Sequence, residues 1–439
     1  MRQLITNVHI LTMDDDFTEY KNGYLMIENQ KIAKLGKMND TLPDATVVID
    51  GKNGLLMPGM INTHTHIGMI PFRSLGDDVP DRLRRFLFPL EQMMSPELII
   101  ASAKYAIAEM LLAGVTSFCD MYYYEDKIAQ ATQEMKARAL LGQTLIDMKT
   151  PDTSGFDEAL KGSELFLKKW QGDEKIQPIL APHATNTLTK EQLEKILVVS
   201  KQYNAPITMH VAEMDYEMNY FRDTYNQTPV EFLKDLGYFE QHFIMAHGIF
   251  LTDSDIQSLK GHEDVSIAHC IGANTKSAKG VAPIRQMLKQ GVTVGLGTDG
   301  PSSGNTLDLF TQMRMFANFH KTANKQRGEF PAKQIVELAT KSGAKTLGLS
   351  KKVGSLEVGK QADIALIETT SVNMFPIFDA YSALVYSANA GNVSHTWVAG
   401  ELLVKDKQLV HQKLESLRTD LYKEMREFVK EAKRRNEEV

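Results

Sequence analysis

The chain has 439 residues, 43% hydrophobic and 24% charged, with a formal net charge of -6. That balance is ordinary for a folded globular protein and excludes disorder; the negative charge excludes the basic field that nucleic acid requires. No apolar run approaches the ~18 residues of a membrane span, so neither nucleic acid nor membrane is an expected partner. The length accommodates a barrel of roughly 250–300 residues with a smaller domain beside it. Residues Met1 to Asn7 contain no apolar signal core, which makes the cytoplasm the expected location. Cys119 and Cys270 each lie inside an apolar run without a CxxC partner, the pattern of buried reduced thiols.

In chain order, Leu4 to Leu11, Tyr24 to Glu28, Lys31 to Leu35 and Val47 to Ile49 are short β-rich runs separated by turn residues. The same texture returns at Gln361 to Ile367 and Thr396 to Val404. Neither group could bury its apolar face alone, so the two predict a small composite β-sandwich domain built from both termini, residues 1–58 and 356–410.

Between them, eight strand-like runs alternate with helical stretches: Ile61 to His66, Thr116 to Met121, Ala139 to Ile146, Ile176 to His183, Ile207 to Val211, Phe243 to His247, Val265 to Cys270 and Thr293 to Thr298. Eight such units predict an α/β fold, a (β/α)8 TIM-type barrel over residues 59–355. Ser95-Pro96 is an N-cap with proline at the first helical position of a helix over 96–113, and Thr189 with Gln192 forms a capping box. A charged amphipathic stretch, Leu414 to Arg434, predicts a C-terminal helix within 411–439. Oligomeric state has no motif. Met110 and Tyr122-Tyr123-Tyr124 could line a homo-oligomer interface, although core packing explains them more simply.

In such a barrel the chemistry lies where the strands end. Six of the twelve histidines fall there: His64, His66, His183, His210, His247 and His269, while strand 8 ends in Gly297-Thr298-Asp299-Gly300. His64 and His66, two apart on one strand, point to the same side and can chelate one ion. With His210 and Asp299 they make three imidazoles and a carboxylate, a set that leaves a coordination position open and is therefore catalytic rather than structural. These donors suit one divalent metal ion, with zinc expected and iron also compatible with imidazole. Water on such an ion approaches a pKa of about 7. Glu213, three residues after His210, is placed to take its proton. His247 is expected to orient the water or donate to an oxyanion. His269 fits equally as a support for the site or as a hydrogen-bonded core residue.

Pro58-Gly59, His64-Thr65-His66, His210-Val211-Ala212-Glu213, His247, His269-Cys270, Gly297-Thr298-Asp299-Gly300 and the closing Val353 to Asp363 together resemble the amidohydrolase superfamily, in its branch of mononuclear aminohydrolases. The resemblance covers nearly the whole chain. Arg73 to Asp78, Phe88-Pro89-Leu90-Glu91, Ala181-Pro182-His183-Ala184 and Asn274 to Gly280 are most similar to the methylthioadenosine/S-adenosylhomocysteine deaminases. That similarity implies that Glu91 holds ribose hydroxyls and His183 the purine ring, with Glu213 also contacting the base. It implies one metal, because the fourth strand lacks the lysine that bridges two metals in binuclear relatives. It also implies arginines between the third and fourth strands to grip an amino-acid carboxylate, yet none occurs from Ala139 through Phe221. Lys149, Lys161 or Lys175 could substitute, without arginine's two-pronged fit. The expected activity is metal-dependent hydrolytic deamination of an adenine nucleoside (methylthioadenosine, adenosine, 5′-deoxyadenosine or S-adenosylhomocysteine), releasing ammonia, with the neutral nucleosides favoured. The alternatives are deamination of another heterocycle such as guanine, a pterin or a triazine, and a non-catalytic barrel that serves as a binding module.

Overall fold

The computed structural model describes residues 2–437. Four strands open the chain, β1 (Arg2–Leu11), β2 (Glu19–Glu28), β3 (Lys31–Lys37) and β4 (Val47–Pro58). The barrel strands follow: β5 (Met60–Thr65), β6 (Val115–Tyr122), β7 (Arg138–Leu145), β8 (Ile176–Pro178), β9 (Ala181–Pro182), β10 (Ile207–Val211), β11 (Phe243–His247), β12 (Val265–His269) and β13 (Thr293–Leu296). Four more, β14 (Ile364–Ile367), β15 (Val393–Val398), β16 (Glu401–Lys405) and β17 (Gln408–Leu409), complete the strand set.

The first and last groups join in one eight-stranded path, β17-β16-β15-β14-β4-β1-β2-β3. β4 is its hinge between termini, parallel to β1 and antiparallel to β14. Ile5, Ile10, Leu25, Leu56, Ile364 and Trp397 pack against one another on it. The turn residues after Ile49 suggest a strand end, but β4 continues to Pro58 through Lys52 and Asn53, both at positive φ (50° and 60°). Such irregularity bends a strand without ending it.

In the barrel, successive strands pair in parallel from β5 to β8 and from β10 to β13. The fourth strand is split into β8 and β9. Pro178 and Pro182 supply no N–H to a ladder, so a continuous strand over 176–183 does not form. Single bridges, Leu180 to Ile207 and Ala184 to His210, carry the sheet across to β10. The ring closes where Thr298 and Asp299 donate backbone N–H groups to the His64 carbonyl at 3.2 and 3.1 Å. Asn62 supports this seam, donating to Thr298 Oγ1 at 2.7 Å and accepting from its N–H at 3.0 Å. The closure of the barrel therefore joins the His64 strand directly to the Asp299 turn.

Gly59 alone separates β4 from β5. A Cβ there would lie 2.2 Å from the Thr116 side chain, and its N–H donates to Asp363 O at 2.9 Å, so the passage between sheet and barrel tolerates no side chain. The helix after β5, Pro96–Leu112, starts as expected, with the Ser95 side chain accepting from Leu98 N. The Thr189–Gln192 box likewise opens the helix Lys190–Tyr203. The C-terminal stretch forms two helices, Leu414–Glu424 and Arg426–Glu437, interrupted at Met425. The interruption lets Phe428 meet Phe72 edge-on, ring centres 4.8 Å apart. Residues 438–439 of the predicted helix lie outside the described residues. Met110, Tyr122 and Tyr123 are buried (1%, 3% and 8% exposed), which makes them core rather than surface; both cysteines are buried and unpaired. Among the described residues no helix is long and apolar enough to cross a membrane.

Candidate metal centre and active site

Five of the six strand-end histidines converge. Ring centres of His64 lie 4.8 Å from His66, 4.9 Å from His210 and 5.6 Å from His247, and His183 lies 5.0 Å from His210. Asp299 Oδ1 is 3.1 Å from His66 Nε2 and 3.9 Å from His64 Nε2. The donor atoms of His64, His66 and His210 all lie within 4.8 Å of one another, as do those of His64, His247 and Asp299. Two glycines make room: a Cβ at Gly297 would lie 2.8 Å from Cys270 Sγ and 3.1 Å from His64, and one at Gly300 would lie 3.2 Å from His66.

The orientation of these rings fits a cation. His66 donates Nδ1–H to Met121 O at 2.7 Å and His210 donates Nδ1–H to His183 O at 2.6 Å. Each bond fixes Nδ1 as a donor and turns the Nε2 atom inward, where it offers a lone pair whenever the ring is neutral. Those two Nε2 atoms sit 3.4 Å apart. His64 is fully buried and, among the described residues, neither of its nitrogens has a hydrogen-bond partner, an arrangement that costs about 1–3 kcal/mol per unsatisfied group unless something else binds there. Burial, then the neighbouring imidazoles, lowers the pKa of His64 and His210 well below the usual value, keeping their lone pairs free. Burial also opposes charge on His66, yet Asp299 outweighs it and lifts His66 to about 9. Asp299 is held well below the carboxylate range against its own burial, by His66 first. The cluster is thus arranged for one positive charge at its centre, and its donors support a single metal.

Three strand ends here are in the left-handed region without glycine: Ala212 (φ 51°), His247 (φ 72°) and Asp299 (φ 58°). Such strain, of order 1–2 kcal/mol per residue, concentrates at functional sites. The Ala212 turn is secured by Glu217, a buried residue absent from the sequence reading. It accepts from Ala212 N at 3.0 Å, from Glu213 N at 2.9 Å and from Thr185 Oγ1. Its place in the first turn of the helix Asp215–Tyr225 was the available signal.

Glu213 faces the cluster, with Oε2 3.8 Å from His247 Nε2 and Oε1 hydrogen-bonded to Lys279. Burial pushes its pKa up, but His247, Lys279 and His210 pull it down to about 2. His247 Nδ1–H donates to Asn274 Oδ1 at 2.8 Å. Tyr122 Oη reaches Glu91 Oε1 at 3.5 Å, and burial raises the Glu91 carboxyl to about 7 against the influence of His66. His183 Nδ1 lies 3.2 Å from Thr187 Oγ1, and burial lowers its pKa to about 4. Behind His66, Asp120 accepts from Ile67 N at 2.7 Å and faces Glu125; burial raises both carboxyls, Asp120 to about 6. His269 stands apart from the ring cluster. Its Nε2 meets His320 Nε2 at 2.9 Å and its ring packs on Phe316.

Of the three lysines considered for a carboxylate, Lys175 points to the opposite end, donating to Lys136 O at 3.1 Å, and Lys161 lies on the exposed side of the helix Phe156–Trp170. Lys149 belongs to the loop after β7, where its carbonyl accepts from Gln92, the neighbour of Glu91, at 3.5 Å.

Residues 55–403 match the Amidohydrolase family. The chain belongs to that family. Similar members include a 5′-deoxyadenosine deaminase of Methanosarcina acetivorans, 37% identical over 93% of this chain and 94% of that protein. A 5-methylthioadenosine/S-adenosylhomocysteine deaminase of Caldanaerobacter subterraneus is 36% identical over 93% of this chain and 94% of its own. Among solved amidohydrolase structures, an adenosine deaminase from Xanthomonas campestris with bound zinc superposes with a TM-score of 0.94 at 27% identity, covering 98% of both chains. The chain is accordingly a hydrolytic enzyme of the aminohydrolase kind.

Proposed function

We propose that this amidohydrolase hydrolyses the exocyclic C–N bond of an adenine nucleoside, releasing ammonia and an inosine-type product. The observation that carries the reading is His64: a fully buried imidazole with two unpartnered nitrogens, surrounded by His66, His210 and Asp299 and faced by Glu213. Two full-length relatives whose names specify adenine nucleosides support the substrate class. Zinc is the proposed ion, from the nitrogen-rich donor set and the zinc in the Xanthomonas enzyme.

His64, His66, His210 and Asp299 would hold the ion, which supplies Lewis acidity and brings the pKa of a water towards 7. Glu213, ionised at neutral pH, takes the proton of the attacking water and passes it to the purine ring nitrogen adjacent to the reacting carbon, then assists departure of ammonia. His247, its ring fixed by Asn274, orients that water. Asp299, beside His66, keeps the positive charge of the site balanced. Glu91 holds the ribose hydroxyls and His183, neutral, meets the purine edge. The same reading takes 59–355 as the catalytic barrel, braced by 1–58 with 356–410 and by the C-terminal segment 411–439.

Because no arginine occurs from 139 through 221 and Lys175 faces away, methylthioadenosine, 5′-deoxyadenosine and adenosine are expected to be better substrates than S-adenosylhomocysteine. Ammonia release by the zinc-loaded protein across these four, with guanine and a pterin beside them, tests this. Turnover confined to a free base, or none at all, would overturn the nucleoside assignment.

A further inference from the structure

Lys279 belongs to neither the ligand set nor the proton path described above, yet its Nζ donates directly to Glu213 Oε1. It projects from the turn that follows the helix Ile271–Lys276, where Ala278 (φ 55°) and Gly280 (φ 119°) hold the backbone in the left-handed region on either side and Lys279 N donates to Asn274 O at 3.0 Å. That helix orients His247 through Asn274. It is anchored on its outer side by Lys276, which donates to Asp77 at 2.8 Å and to Asn305 at 2.6 Å. Glu213 is meanwhile fixed at its backbone by Glu217. With its backbone fixed and Oε1 occupied, Glu213 has one oxygen left, and Oε2 is the one that looks towards His247 Nε2.

We propose that Lys279 is a positioning residue for the deamination: by holding Glu213 Oε1 it assigns Oε2 as the proton-carrying oxygen and fixes its direction into the metal cluster. This rests on the role of Glu213 proposed above. Both side chains are part-exposed, 23% and 22%, and pairs of that kind add little to folding, so the contact is better explained by what it orients than by what it stabilises. A carboxylate misdirected by about 1 Å costs up to about 100-fold in rate.

The test compares wild type, Lys279→Met, Lys279→Arg, Glu213→Gln and the double variant Lys279→Met/Glu213→Gln, on whichever adenine nucleoside the wild type turns over fastest. Metal content and melting temperature are measured for each. The expected result is that Lys279→Met loses about 10- to 100-fold in kcat with KM within about threefold. Its metal content and melting temperature should stay at wild-type values, and Lys279→Arg should recover most of the rate. In the Glu213→Gln background the same substitution should cost nothing further, because the two residues act as one unit. An undiminished kcat for Lys279→Met, an equal loss in the Glu213→Gln background, or a loss accompanied by missing metal or lowered melting temperature would overturn it. A wild-type enzyme inactive on every adenine nucleoside would instead overturn the underlying reaction.

Discussion

Glu213 shows how opposing influences settle at a single residue. Burial alone would push its carboxyl up and favour protonation, but His247, Lys279 and His210 reverse that and hold it near 2. It is therefore ionised across the neutral range, which suits the proton-accepting role proposed for it. Glu213→Gln preserves size and one oxygen while removing basicity. That substitution should keep the metal, by elemental analysis, and lose roughly 10²- to 10⁴-fold in kcat, the usual worth of a positioned acid–base group. Near-normal turnover would remove Glu213 from the proton path. The role proposed for Glu213 is readable in the sequence from its place three residues after His210. Its fixation by Glu217 was partly legible, as an acidic residue in the first turn of a helix. Lys279 was not: it stood in a stretch that resembles the family, with nothing in the letters to say that it reaches a residue 66 positions away.

At the scale of elements, the pair formed by β12 and the helix Leu309–Ala323 has a consequence for stability. His269 and His320, 51 residues apart, share one N–H···N contact inside an aromatic cluster with Phe316 and Phe330. Burial holds His320 near pKa 4 and His269 well below its usual value. The unfolded chain binds a proton at His320 below about pH 6.5, whereas the folded protein does not until about pH 4. Folding stability should therefore fall as pH drops from about 6.5 towards 4, by up to about 1.4 kcal/mol per pH unit for this one group. Urea denaturation across that range should show the slope, and His320→Gln should reduce it by about one proton's worth, ~1.4 kcal/mol per pH unit; an unchanged slope in the variant would exclude His320 as a contributor. Element boundaries were read well where the cause is local, as at Ser95 and Thr189. They were misread where it is not: β4 continues through residues that normally turn, because β1 and β14 pair with it on both sides.

For the whole molecule, the contact between barrel and composite sheet has a charged centre. Arg138, at the start of β7, donates Nε and Nη2 to the two Asp363 oxygens at 3.0 and 3.1 Å. Their side chains are 2% and 1% exposed. Asp363 also accepts from Ala399 N at 2.7 Å, and its carbonyl accepts from Gly59 at the entrance to the barrel. Removing one partner of such a pair leaves a buried charge uncompensated, at a cost of about 3–5 kcal/mol. Asp363→Ala should accordingly lose that much stability in denaturant titration while His64, His66, His210 and Asp299 keep their arrangement. A loss below about 1 kcal/mol would mean that the pair is not what joins the two parts.

The sequence by itself determined the barrel and the strand-end histidines gathered at one end of it, because both follow from local regularities. Eight apolar runs at βα spacing count the strands, and a histidine at or beside the end of a strand is placed by the strand's own periodicity. Tertiary structure alone decided how those histidines are oriented and what surrounds them. The Nδ1 partners of His66 and His210 are the carbonyls of Met121 and His183, and since every residue carries a carbonyl, no side-chain pattern announces which one will be near. The same holds for Lys279 on Glu213, His320 on His269 and Arg138 on Asp363. Each pairing spans 51 to 225 positions and exists only because the tertiary fold, in closing the barrel and packing helices and sheet against it, brings separate strand ends, helices and loops into one volume.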